Sequence, residues 1–266
     1  MEIEHKDFSS LNNQFNFSNF SIMHINVRSL NANFEELEIL LGKLKSKPSI
    51  IICSETWYLP CPQYFNLQGY HMIYNESYLN KADGSVIFIK TDFDYQMENV
   101  EIDKVKFLSV LIKFNKFNLK ITSTYRCQVI SKKKYVKAMH KLLLKNKGNK
   151  NHLIVGDFNI NLLSNEIDSE DFINNFFDYE YIPFFNQITR PNPHNDSGTC
   201  IDNIFVKSTN INSFKSHKLL EQFGDQYPLF LSVDFNLTKS PNTNNINYID
   251  YKKMKTLLPV SIGTQF

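Results

Sequence analysis

The apolar run His152-Leu153-Ile154-Val155 stops abruptly at Gly156-Asp157-Phe158-Asn159, the pattern of a buried strand that runs out into a loop. Side chains at i and i+2 of an extended segment share a face, so Asp157 and Asn159 can reach one phosphate together. An Asp can polarise a water or protonate a leaving oxygen, and an Asn can donate to a non-bridging oxygen. The same residues also suit an ordinary turn after a strand, where Asp and Asn are common. The companions of this segment along the chain bear on that choice.

Composition bounds the problem. With 266 residues and 42% hydrophobic content, one sizeable core and one domain with ragged ends are expected. A net charge of +2 leaves any basic nucleic-acid footprint local. Cys53, Cys61, Cys127 and Cys200 have no zinc-type spacing, which suits buried thiols in a reducing compartment. Residues 1–20 are polar and Asn-rich, without the apolar stretch of a signal peptide, and read as a loose leader. No run reaches the roughly 18 apolar residues of a membrane span. The expectation is an intracellular protein, nuclear or cytoplasmic, with no membrane partner.

Periodicity places a strand at 21–27 and a helix at 33–45, with Phe34, Leu37, Leu40, Leu41 and Leu44 at three-and-four spacing and Asn33 as its cap. Strands follow at 49–53, 69–74, 85–90, 106–114 and 117–124, the last two joined by a hairpin turn. A basic helix spans 132–147, a strand 153–157, a short helix 169–177, and two late strands 201–206 and 227–235. Residues from about 237 read as a polar tail. Strands mixed with helices through short turns suggest a layered α/β sandwich.

Polar groups recur where these strands stop: Asn26, Glu55, Tyr125 with Arg126, Asp157 with Asn159, Asp202 and Asp225. Clustered strand ends are where α/β folds usually place their sites. Each residue has a bland reading too: Asn26 as a turn cap, Glu55 as a helix-start acid, Tyr125 as a core aromatic with a wet hydroxyl. Asp202 resists one, because it interrupts the run Cys200-Ile201-Asp202-Asn203-Ile204-Phe205, and a buried carboxylate is costly unless it is paired.

The ordered set Asn26, Ser54-Glu55-Thr56-Trp57, Thr124-Tyr125-Arg126, Gly156-Asp157-Phe158-Asn159, Ser197-Gly198-Thr199-Cys200-Ile201-Asp202 and Asp225-Gln226-Tyr227-Pro228 resembles the endonuclease/exonuclease/phosphatase superfamily. Asn26-Val27-Arg28-Ser29-Leu30, Ser-Glu-Thr-Trp, Ile188-Thr189-Arg190-Pro191 and the strand beginning Asp83-Gly84 narrow the likeness to the apurinic-type endonuclease domain of non-LTR (LINE-like) retrotransposons. It covers about 22–234. The resemblance implies a four-layer sandwich, two stacked mixed β-sheets flanked by helices, with the site at one rim.

It also implies roles. Glu55 would be the main carboxylate ligand of Mg²⁺ (or Mn²⁺), with Asn26 beside it, since Mg²⁺ favours hard oxygen ligands and retained waters. Tyr125 and Asn159 would bond the scissile phosphate, and Asp157 would orient or deprotonate the attacking water. Asp202 would orient a histidine, and Asp225 would assist the metal or that histidine. Arg28, Arg126, Arg190 and Thr199 are the candidates for contact with DNA. The implied partners are DNA and a reverse-transcriptase domain in a longer parent protein. No aromatic-Ala-Asp-Asp box occurs here, so an isolated domain or truncated copy, acting as a monomer, is expected.

One departure stands out. The family's last motif is Ser-Asp-His, whereas this chain reads Gly224-Asp225-Gln226. A carboxamide never titrates, and loss of general acid/base help costs on the order of 10²–10⁴ in rate. Three readings stay open: an impaired DNA endonuclease, another phosphoesterase of the same fold, and a non-catalytic nucleic-acid-binding module. The lysines of the 132–147 helix are either a solvated face or a track for a DNA backbone.

Overall fold

Ile, Val, Leu and Phe fill the central strands of this chain on both faces, so two sheets stack on one another and each takes helices on its outer side. The computed structural model describes residues 2–15, 20–76, 78–114 and 117–234. The first sheet runs in the order β1 (Glu2–His5), β14 (Phe214–Leu219), β15 (Leu229–Val233), β2 (Phe20–Asn26), β3 (Ile50–Ser54), β5 (Ser85–Lys90) and β4 (Tyr70–Tyr74). The second runs β10 (Ile182–Pro183), β13 (Asp202–Lys207), β9 (His152–Asp157), β8 (Asn118–Tyr125), β7 (Val105–Lys113) and β6 (Tyr95–Ile102). A small ribbon pairs β11 (Arg190–Pro191) with β12 (Gly198–Thr199).

The layers follow from the alternation of side chains. Ile22, Ile50, Ile52, Ile87 and Ile89 of the first sheet meet Ile121, Leu153, Val155, Ile204 and Val206 of the second. On the far side of the first sheet, Met23, Ile25, Ile51, Cys53 and Phe88 pack beneath α1 (Phe8–Gln14) and α2 (Leu30–Gly42). Outside the second sheet, Phe107, Ile154 and Phe205 meet α3 (Lys132–Lys145) and α4 (Ile167–Asp178). This is the expected four-layer α/β sandwich.

Two parallel crossovers position the functional rim. The helix α2 carries the chain from β2 to its parallel neighbour β3, and α3 carries it from β8 to parallel β9. A parallel neighbour brings both strand ends to the same side of a sheet. Asn26 and Glu55 therefore emerge together from one sheet, and Tyr125 and Asp157 from the other. Gly156 is needed there, because a Cβ on it would lie 1.8 Å from the Thr124 carbonyl oxygen.

Several expectations need correction. Within the expected loose leader of 1–20, the described residues 2–15 are structured: β1 pairs in parallel with β14 from Glu2 opposite Ser216 to His5 opposite Leu219. Phe8 and Leu11 of α1, followed by Phe15, bury against the first sheet; their helical spacing is hidden among Ser, Asn and Gln. The α2 cap is Ser29, whose hydroxyl accepts from the Ala32 amide at 3.3 Å. Asn33 instead donates to the Val27 carbonyl at 2.8 Å. β6 has no counterpart in the sequence reading, because it is an edge strand with little burial. The tip of the 113–117 turn and the tail from 237 fall outside the described residues. All four cysteines are free, and no helix among the described residues is long and apolar enough to cross a membrane.

Candidate active site

The rim is knitted together by one side chain. Asn26, buried at the end of β2, donates through Nδ2 to Glu55 Oε2 at 3.0 Å and to Asp157 Oδ2 at 2.8 Å. It thus joins the two sheets, and the two carboxylates, which only accept, fix the amide's orientation. Its Oδ1 accepts from the Arg28 backbone amide at 3.0 Å. Asn26 therefore braces the two carboxylates with its nitrogen.

Glu55 leaves β3 in a left-handed conformation, φ +56°, and stays partly exposed. Among the described residues its side chain has, besides Asn26, only the Trp57 indole at 3.4 Å, so acceptor capacity is left open. Asp157 is fully enclosed. It receives the Asn159 backbone amide at 2.8 Å, Asn26, and Gln226 Nε2 at 3.2 Å. Burial outweighs these three donors and pushes its carboxyl up to about 6. Tyr125 ends β8 nearby; burial, then the charges of Glu55 and Asp157, hold its hydroxyl well above its ordinary value. It is a permanent neutral donor.

Asp202 lies directly opposite Asp157 in the β13–β9 register. Thr189 Oγ1 donates to its Oδ2 at 3.1 Å, while Oδ1 has no hydrogen-bond partner. His24 Nδ1 approaches that orphan oxygen at 3.8 Å. Burial lowers His24 to about 3, and burial together with Asp157 raises Asp202 well above the carboxylate range. Both shifts favour the neutral forms, and at 3.8 Å the two groups are farther apart than a hydrogen bond. Thr189 and His24 were not picked out from sequence. His24 sits two residues before Asn26 on the same strand face, which is the signal that would have found it.

Gln226 occupies the place expected for a histidine. Its Nε2 is committed to Asp157, and its buried Oε1 has no partner. Turning the amide over would set two acceptors against each other. Asp225 departs from its expected service to metal or histidine: it pairs with Arg190 Nη2 at 2.6 Å and Arg28 Nη1 at 3.4 Å.

Arg126 also departs from expectation. Its buried guanidinium donates to the carbonyls of Phe158 at 2.9 Å, Ile130 at 2.7 Å and Asn159 at 2.7 Å, so it struts the loop after β9 rather than facing outward. Asn159, at φ +47°, returns its amide to the Arg126 carbonyl at 3.1 Å. Thr199 lies in the ribbon opposite Arg190, and its carbonyl accepts the Thr189 amide at 2.9 Å.

The donor set suits a hard cation that keeps its waters. Among the described residues there is no cluster of three or more His, Cys, Asp or Glu that would cage a metal. Glu55, a partly exposed carboxylate at this rim, fits Mg²⁺, which binds through one or two carboxylates plus substrate.

No family model matches this sequence, and no curated protein does. Solved structures do. The 3′-5′ exonuclease NExo from Neisseria meningitidis superposes with a TM-score of 0.61 at 16% identity, over 81% of this chain and 100% of its own. The endonuclease domain of TRAS1, a telomere-specific non-LTR retrotransposon, gives 0.63 at 12% identity, over 80% and 98%. D. rerio TDP2, solved with a single-strand DNA product, gives 0.63 at 12%, over 82% and 99%. The fold is that of the endonuclease/exonuclease/phosphatase proteins. At these identities the likeness speaks for the architecture, and the chemistry must be argued from the rim.

Proposed function

We propose that this chain is a Mg²⁺-dependent phosphodiester hydrolase that nicks DNA in the manner of a retrotransposon endonuclease, with turnover depressed by Gln226. The observation that carries the reading is the Asn26 bracket, which brings Glu55 of one sheet within hydrogen-bond reach of the amide that also holds Asp157 of the other.

Glu55 would hold the cation, with Asn26 keeping its carboxylate in place. When bound, Mg²⁺ neutralises charge on the phosphate and polarises it. The Tyr125 hydroxyl, kept neutral by burial, donates to a non-bridging oxygen. Asn159, with the second hydrogen of the amide that donates to the Arg126 carbonyl, would give a second such bond and help to fix the phosphate for in-line attack. Asp157, once ionised, takes the proton of the attacking water as its oxygen bonds to phosphorus. The leaving oxygen must then collect its proton from solvent, because Gln226 has none to give.

Arg28 and Arg190, aligned by Asp225, are proposed to grip the flanking backbone, with Thr199 bracing the ribbon under Arg190. The partners proposed are DNA and a reverse-transcriptase domain of a longer protein. The nuclease-like unit is residues 21–236 with β1 and α1 built onto its first sheet, working as a monomer in nucleus or cytoplasm.

A second reading, a DNA-binding module without turnover, is favoured by the locking of the Gln226 amide onto Asp157. Plasmid nicking with and without Mg²⁺ separates the two. Metal-dependent nicking is expected, abolished by Glu55→Ala and raised by about 10²-fold in Gln226→His. Equal, robust nicking by wild type and Gln226→His would remove the claim of impairment. DNA binding without nicking by any variant would favour the second reading.

A further inference from the structure

The segment that follows Glu55 holds more aromatic surface than the chemistry above uses. Tyr58 is 58% exposed and meets Tyr78 edge to face, ring centroids 5.6 Å apart. Trp57 turns its indole back so that Nε1 lies 3.4 Å from Glu55 Oε1. The exposed Lys81 sets its ammonium 5.8 Å from the indole centroid. Trp57 thus touches the carboxylate proposed to hold the metal, Tyr58 follows it in the chain, and Tyr78 and Lys81 pack on these two rings.

The segment is also held rigidly at a conformational cost. Glu55 and Trp57 both have left-handed backbones, φ +56° and +63°, and bulky residues adopt that region only where their surroundings impose it. The surroundings do so here. The Ser29 and Leu30 amides donate to the carbonyls of Glu55 and Thr56 at 2.8 and 2.9 Å, and the Tyr58 amide donates to the Lys81 carbonyl at 3.1 Å. Gly84, at φ +119°, allows the 78–84 segment to close in; a Cβ there would lie 2.5 Å from Thr56 Oγ1 and 2.8 Å from Tyr78. Asp83 caps that segment through the Leu79 and Gly84 amides, both at 2.8 Å. A strained, buttressed loop that leaves a Tyr ring open to solvent gains nothing in core packing from that ring.

Every nucleobase has a π-face, and an aromatic ring beside a cation is a general platform for a base that is free of its pair. A paired base presents only its edge and cannot stack on such a ring. We propose that Tyr58, with Tyr78 behind it and Lys81 at its flank, stacks an unpaired nucleobase of a single-stranded stretch next to the cleaved phosphodiester. This deepens the nuclease reading and rests on it. The preferred substrate becomes duplex DNA that passes into single strand at the site.

Trp57 is the single tryptophan of the sequence, so its emission reports on this loop alone. The experiment titrates the full chain, in EDTA at low salt so that no strand is cut, with a labelled blunt duplex and with the same duplex carrying a short oligothymidine tail. Anisotropy reads affinity and tryptophan emission reads contact. The tailed duplex is expected to bind about tenfold more tightly, within the range that one stacked base contributes, and to quench Trp57. Tyr58→Phe should keep that preference, and Tyr58→Ala should bring it close to one. Equal affinity for both probes with unchanged emission overturns the proposal while leaving the nuclease reading intact. A preference that survives Tyr58→Ala overturns it as well. Failure to bind either probe overturns the nuclease reading itself.

Discussion

Arginines look alike in a sequence and part company in the fold. Arg126 directly follows Tyr125, proposed above as a phosphate donor, and was expected at the phosphate, yet its guanidinium is spent on three backbone carbonyls. Arg190 lies in a two-residue ribbon and keeps its head partly in solvent against Asp225. The planar fork of arginine holds its donors in a rigid array that spans separated acceptors, whereas a lysine ammonium is a compact point charge on a flexible stem. Arg126→Lys is therefore expected to lower unfolding stability by about 2–3 kcal/mol, since carbonyls are left unmet in a buried place. Arg190→Gln should leave the urea midpoint unchanged and weaken DNA binding. The two effects exchanged, in paired denaturation and binding measurements, would refute the assignment.

The crossovers β2–α2–β3 and β8–α3–β9 give the rim its shape, and the second rests on a close backbone approach at Gly156. Gly156→Ala places a methyl group against the Thr124 carbonyl, so the β8–β9 ladder must part where Tyr125 and Asp157 emerge. A loss of more than about 2 kcal/mol is expected in urea unfolding; a midpoint within about 0.5 kcal/mol of wild type, the usual size of a neutral surface change, would show that the ladder gives way cheaply. The elements of these crossovers were legible in the sequence, β3 and β9 as apolar runs and α2 by its regular spacing, whereas their parallel pairing was not read. What was not legible was whatever lacked such a run. The edge strand β6 is polar on most of its length, and β1 is four residues long, with its own partner more than two hundred positions away. Asn26, Glu55, Asp157 and Gln226 were found from order and spacing. The Thr189 and His24 contacts to Asp202 arise only when strands from two sheets are stacked.

β1 also introduces a titrating contact. His5 Nε2 and His217 Nδ1 lie 2.8 Å apart in a buried pair, which needs one ring to donate and the other to accept. Burial, then His5 and Lys215, lowers His217 to about 4; burial also lowers His5, against the pull of Asp7. A histidine whose folded value is depressed contributes stability above its unfolded value, near 6.5, that is lost as the pH falls toward 4. The raised Asp157 and Asp202 act in the opposite sense, and the lowered His24 and His152 in the same sense. A variant that changes only the pair isolates it. His217→Asn keeps an acceptor for His5 without a titrating ring. The Tm of wild type should fall relative to that of His217→Asn between pH 6.5 and 4, and a difference that stays flat with pH would sink the idea.

At the scale of the molecule the question is where DNA lies, and charge alone misleads. The most lysine-rich element is α3, on the outer face of the second sheet. Lys132, Lys141 and Lys145 there are occupied by Glu166, Asp103 and Glu98. Three of the six lysines of the helix are paired in this way, which fits a solvated helix face. The rim instead carries two arginines that share one acid, Asp225, so their summed charge is small, while their reach toward a phosphate is set by that shared anchor. Each phosphate neutralised releases counterions, and the slope of log affinity against log salt falls by about 0.9 per contact on duplex DNA. Arg190→Gln is therefore expected to reduce the magnitude of that slope by about one unit, and Lys137→Gln, on exposed α3, to leave it as it is. Comparing variants removes the contribution of every other charge on the chain, including those of residues 235–266. If Lys137→Gln moves the slope and Arg190→Gln does not, DNA lies along the helix layer, and the rim built by Asn26 loses its claim to be the place where the backbone is cut.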